Sequence, residues 1–73
     1  MARIEVKSEI TGTVWKIKVK PGDIVESGAT LVLIESMKME IPVITEDGGT
    51  VMEILVQETG RVAEGQVVAV LEG

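Results

Sequence analysis

The chain has no cysteine, no histidine, no tyrosine and no phenylalanine, and Trp15 is its one aromatic residue. Without cysteine no disulfide reinforces the fold, and without Cys or His the ordinary zinc sites are excluded. The same gaps remove most nucleophiles and general acid–base groups, leaving carboxylates, Lys, Ser and Thr. A chain of 73 residues is a single domain, residues 1–73, and buries only ~60% of the surface its unfolded form exposes. A cleft gathering several catalytic groups has little room in it, so the sequence reads as a non-enzyme.

Positive charge is scarce too. Seven Lys and Arg against 12 Asp and Glu leave a formal net charge of −5. That balance argues against nucleic acid, which needs a basic face and usually stacking rings. No apolar run approaches the ~20 residues of a membrane span, and the N-terminus lacks a signal peptide's apolar segment. Together with the missing cysteines, this predicts a cytoplasmic protein with no membrane contact, and a monomer is expected. The start at Met1 and the stop at Gly73, just past the last predicted strand, are those expected of a stand-alone small protein.

What the chain does have is alternation. Ile4-Glu5-Val6-Lys7 reads as a half-buried strand. In Thr13-Val14-Trp15-Lys16-Ile17-Lys18-Val19-Lys20, period two puts Trp15, Ile17 and Val19 on one face and the three lysines on the other. Lys20-Pro21-Gly22-Asp23 has Pro and Gly at the centre of a predicted type II turn. No segment of ten residues has helical period, so the fold is predicted to be all-β.

The chain is also one unit written twice. Ile4 falls on Ile41 at a shift of 37 residues, and the same shift carries Val6 to Val43, Gly12 to Gly49, Val14 to Val51 and Ile17 to Ile54. The second copy reads as having one extra residue in its turn, Gln57-Glu58-Thr59-Gly60, so that Gly22 meets Gly60 and Ile24 meets Val62. The register recovers by Gly28 and Gly65. The halves are about 2–36 and 39–73. Two copies are too few for a solenoid and are better buried by closing on each other about a pseudo-two-fold axis. The symmetry sets one hairpin, residues 31–36 with 39–44, against its equivalent, residues 68–73 with 2–7. Both termini are therefore predicted side by side, at the pole away from Lys38.

Between the copies stand Met37 and Lys38, inside Glu35-Ser36-Met37-Lys38-Met39-Glu40. Turns use Gly, Asn, Asp or Pro, which supply positive φ, a preset φ or local side-chain hydrogen bonds, and none is present. A surface lysine in a solvated turn is the plain reading, but two methionines at an exposed tip forgo burial unless a partner covers them. A lysine activated in place needs burial or a neighbouring cation, and the flanking residues are Glu35 and Glu40. The third reading is a lysine acylated by another enzyme, with the tip as its recognition handle.

These residues resemble the attachment motif of the biotinyl and lipoyl attachment domains, where the biotinylated lysine lies between two methionines. Gly12-Thr13-Val14 is similar to the family's G-T-V opening, Val19-Lys20-Pro21-Gly22-Asp23 to its V-x-x-G-D turn, and Gly28 with Leu31 to its G-x-x-L. Ser36 departs from the usual Ala. The resemblance covers the whole chain and implies a flattened barrel-sandwich hybrid of two four-stranded antiparallel sheets. It implies Lys38 as the covalent site for biotin, Met37 and Met39 as determinants read by a biotin protein ligase, and Glu35, Ser36 and Glu40 as the flanking hairpin. It also implies a carboxylate carrier serving a biotin carboxylase and a carboxyltransferase. Residues 24–30 leave no space for the protruding thumb of some biotinyl domains, so the biotin is expected to be solvent-exposed. A lipoyl carrier or dual acceptor is the alternative, although lipoyl domains usually have Asp before the lysine and a small residue after it. An unmodified docking module is the remaining one.

Overall fold

Period-two patterning produces eight strands and no helix among residues 2–73, which are those the computed structural model describes. In order they are β1 (Arg3–Lys7), β2 (Gly12–Ile17), β3 (Ile24–Val25), β4 (Thr30–Ser36), β5 (Met39–Ile44), β6 (Gly49–Ile54), β7 (Arg61–Val62) and β8 (Val67–Glu72). They form two four-stranded antiparallel sheets, ordered β1-β8-β6-β3 and β5-β4-β2-β7. Each half of the sequence lends two strands to each sheet, so neither half closes a sheet alone.

The core repeats with the sequence. Val6 matches Val43, Val14 matches Val51, Val25 matches Val62, Leu31 matches Val68, Val32 matches Ala69 and Ile34 matches Leu71. These residues make one buried cluster between the sheets. Its polar margin is paired in the same way. Ser8 Oγ donates to the Ile10 carbonyl at 2.6 Å, and Thr45 Oγ1 to that of Asp47 at 2.7 Å. Both hydroxyls are buried and both return an acceptor to the same loop, which removes the penalty for enclosing them.

Two expectations need correcting. Trp15 does not share the inner face with Ile17 and Val19. A β-bulge between Val14 and Lys16 turns it outward and leaves it 47% exposed. Val14 takes the core position instead. The bulge recurs between Val51 and Glu53, with Met52 outward. An extra residue in one strand resets the alternation, and the apolar pattern carries no mark of it.

The second correction concerns the turn after β6, where no residue is inserted. Gly22 N–H donates to the Val51 carbonyl at 2.8 Å, and at the equivalent place Thr59, not Gly60, donates to the Val14 carbonyl at 2.7 Å. Val25 pairs with Gly49 as Val62 pairs with Gly12, so the shift of 37 runs unbroken. Gly22 has φ 97°, the value a type II turn wants at its third residue, and Thr59 takes φ 71° in its place. For a β-branched side chain that is a strained conformation. Glu58 helps hold it, accepting a hydrogen bond from Ile17 N–H at 3.1 Å.

Candidate functional site

The β4–β5 hairpin places the tip. Ser36 pairs with Met39, Glu35 with Glu40, Ile34 with Ile41 and Leu33 with Pro42, leaving Met37 and Lys38 as the two turn residues. A two-residue hairpin turn compatible with strand twist requires positive φ at both central positions, normally supplied by Asn-Gly. Met37 has φ 52° and Lys38 has φ 65°. Left-handed backbone costs about 1–2 kcal/mol per ordinary residue. The turn therefore carries a strain that a different pair of residues would avoid.

Below the tip the hairpin is rigidly seated. Ile34 is fully buried and Val43 nearly so, while Gly12 lets β2 approach β4 closely. A Cβ on Gly12 would lie 2.5 Å from the Glu35 carbonyl oxygen. Above that base the side chains are free. Met37 is 93% exposed and Met39 64%, and Glu35, Lys38 and Glu40 are exposed while Ser36 is half-buried. Among the described residues the only ion pair is Arg3–Glu5 at 3.9 Å, so neither glutamate neutralises the Lys38 ammonium. All six residues of the expected site thus stand together on one turn and its two flanking rungs.

The opposite pole is occupied by the chain ends. Ala2 N–H donates to the Gly73 carbonyl at 3.2 Å, and Gly73 N–H returns a bond to Ala2 at 2.9 Å. Lys7 and Ile44, the inner ends of β1 and β5, line one shared hollow. From there the two strands run to opposite ends of a body 36 Å long and 18 Å wide, which matches two strands in line at ~3.3 Å per residue. The turns on either side of β3 match their equivalents residue for residue, and no thumb protrudes among the described residues.

Sequence reasoning missed the hollow itself, about 700 Å³ between the two edge strands and their following loops. Only the packing of one sheet on the other creates it. Glu5, Glu9, Glu46, Asp47 and Glu64 border it, yet no three carboxylates converge as metal ligands among the described residues. None of residues 35–40 lines it, and the amine on its border is that of Lys7.

Fold and tip together define a presenting module, in which an exposed lysine stands on a hairpin turn instead of lying in a cleft. The chain belongs to the biotin/lipoyl family described as "Biotin-requiring enzyme", whose model matches residues 3–71. It is 42% identical over 62 residues to the Biotin/lipoyl attachment protein of Bacillus subtilis (strain 168), covering 85% of this chain and 85% of that one. A Biotinylated protein TB7.3 homolog of Mycobacterium leprae (strain TN) is 39% identical over 67 residues, covering 92% of this chain and 94% of the relative. The crystal structure of the Kluyveromyces lactis urea carboxylase contains a matching fold with a TM-score of 0.92 and 36% identity. That match covers 99% of this chain and 6% of the carboxylase. No helix of the described residues is long and apolar enough to cross a membrane.

Proposed function

We propose that residues 1–73 act as one attachment domain and that Lys38 is its biotinylated residue, making the protein a biotin carboxyl carrier. The observation that carries this reading is the turn: an exposed, unpaired lysine held in left-handed backbone between Met37 and Met39. Strain of that kind persists where a function requires the residues that cause it. The surroundings fit an amide at Nζ, since Lys38 is exposed and makes no ion pair among the described residues.

Loading needs a partner enzyme, because nothing on the hairpin activates the amine. A biotin protein ligase presenting the acyl group as its adenylate supplies that activation. Lys38 Nζ forms the new C–N bond, AMP leaves with the C–O bonding electrons, and the amine proton passes to solvent. Met37 and Met39 give the ligase two adaptable apolar contacts, and Glu35, Ser36 and Glu40 frame them. Attached biotin supplies a ureido nitrogen that holds a carboxylate. The chain contributes projection and effective concentration, letting a tethered group visit a biotin carboxylase and a carboxyltransferase without free diffusion. The module is a monomer, not itself an enzyme. The activation step consumes a nucleoside triphosphate, which fits an exchange inside the cell, and we place it in the cytoplasm.

Intact-mass measurement of the protein from its own cell tests this. A biotin-sized increase that vanishes in Lys38→Arg, with the fold retained, is the expected result. A lipoyl-sized increase makes the protein a lipoyl carrier instead, and an adduct surviving Lys38→Arg rules out the site.

A further inference from the structure

The outward face of the β5-β4-β2-β7 sheet carries a second feature below the hairpin. Ile17 and Val19 pack against the core, so Lys16, Lys18 and Lys20 project from the other side of the same segment. The bulge adds Trp15 to that side, with the Lys16 ammonium 5.9 Å from its ring centroid. Three of the chain's 7 cations and its only aromatic thus form one line on a protein of net charge −5. None of these ammonium groups makes an ion pair among the described residues.

The internal repeat serves as a control on whether the fold demands them. Lys18 N–H donates to Leu31 at 2.9 Å just as Leu55 N–H donates to Val68 at 2.9 Å, and both strands bulge at the same place. Yet the second copy carries Met52, Glu53, Leu55 and Gln57 where the first has Trp15, Lys16, Lys18 and Lys20. The backbone accepts either set. The stripe is therefore not a requirement of the architecture.

Its position relates it to the tip. Lys16 pairs with Leu33 and Lys18 with Leu31, three and five residues below Ser36 on β4, or ~10 and ~17 Å at ~3.3 Å per residue. A standard interface covers ~800 Å² on each partner, a patch roughly 30 Å across. A protein with such an interface that holds Lys38 near its edge and extends down the β4–β2 face covers Trp15, Lys16 and Lys18 as well. Carboxylates border the line: Glu58 accepts from Ile17 N–H and Asp23 from Lys20 N–H. A continuous polyphosphate has to pass them, whereas a folded partner sets its own carboxylates only opposite the lysines.

We propose that Trp15, Lys16 and Lys18 form a docking stripe for an acidic protein surface on an enzyme that works at Lys38. Naming that enzyme rests on the reading of Lys38 as the acylated residue, but the preference for an acidic protein does not. Trp15 reports directly, being the only Trp and lacking any competing Tyr. Its fluorescence is followed at low salt while poly-L-glutamate or single-stranded DNA is titrated into the full chain. A saturable response to poly-L-glutamate is expected, weakened about tenfold in Lys16→Glu/Lys18→Glu and unchanged in Glu53→Gln. No response, or an equal one in the double variant, overturns the proposal, and a tighter response to DNA replaces it with a nucleic acid site. With the ligase and the biotin carboxylase of the same cell, the double variant is expected to raise KM at low salt for at least one enzyme, with kcat kept and the difference fading at high salt. Unchanged kinetics with both enzymes removes the enzyme from the proposal. Absence of any adduct on the unaltered protein sinks the Lys38 reading separately, while the titration still decides the stripe.

Discussion

At the pole that holds the termini, Arg3 of β1 stands directly across from Glu72 of β8, while at the equivalent rung of the other sheet Glu40 of β5 faces Glu35 of β4. One rung farther out, Ala2 and Gly73 close their ladder with two hydrogen bonds, whereas Ser36 and Met39 lead into a turn whose two residues are forced to positive φ. The cores beneath are matched residue by residue. Opposite charges across a rung stabilise a sheet and like charges destabilise it. One pole thus satisfies the local rules and the other breaks two of them. Such breaks collect where a sequence serves something besides its fold.

The comparison is tested hardest at its base. Ile34→Ala under the Lys38 hairpin and Leu71→Ala under the terminal pair each remove a fully buried side chain. Each is expected to cost about 2–5 kcal/mol in urea unfolding. A small loss for one alone would break the equivalence of the two poles. Replacing Met37-Lys38 by Asn-Gly should relieve both left-handed residues and raise stability by roughly 1–3 kcal/mol, read by the same unfolding curve, while abolishing any adduct. A loss of stability there would mean that the turn carries no strain.

Two smaller effects sharpen the picture. Thr59→Gly is expected to stabilise by about 1 kcal/mol and Gly22→Ala to destabilise by about as much, seen as opposite shifts in Tm. Space is not the issue at Gly22, where an added Cβ meets nothing within 4 Å. Glu40→Arg places opposite charges across the tip rung, as Arg3 and Glu72 stand across the equivalent one. It should gain about 0.2–1 kcal/mol and slow the loading of Lys38, measured by mass against time. Faster loading would show that the ligase does not read the glutamate.

Much of this was legible in the sequence because identical residues recur at one spacing, and the spacing fixed which strands are equivalent, where the hairpin turns and where the termini meet. Met37-Lys38 stood out because its composition is wrong for a turn, and the structure gives that oddity a backbone angle. The Trp15 bulge was not legible, since alternation counts residues and cannot register one that leaves the ladder. Thr59 was hidden for a different reason. Glycine identity pulled Gly60 into the place of Gly22, while the bond from Thr59 N–H to the Val14 carbonyl, and that from Ile17 N–H to the neighbouring Glu58 carboxylate, hold Thr59 there against its own preference. The hollow between β1 and β5 belongs to neither strand's pattern.

The placing of Ala2 beside Gly73, with Lys38 at the far end of a body 36 Å long, has a mechanical side. Any chain joined at either end would hold Lys38 on a stiff boom. A flexible tether gains reach only as the square root of its length and spreads its end over a growing volume. A folded body adds its whole length to the swing radius without that dilution, so a short linker behind it sweeps the lysine over a wide arc.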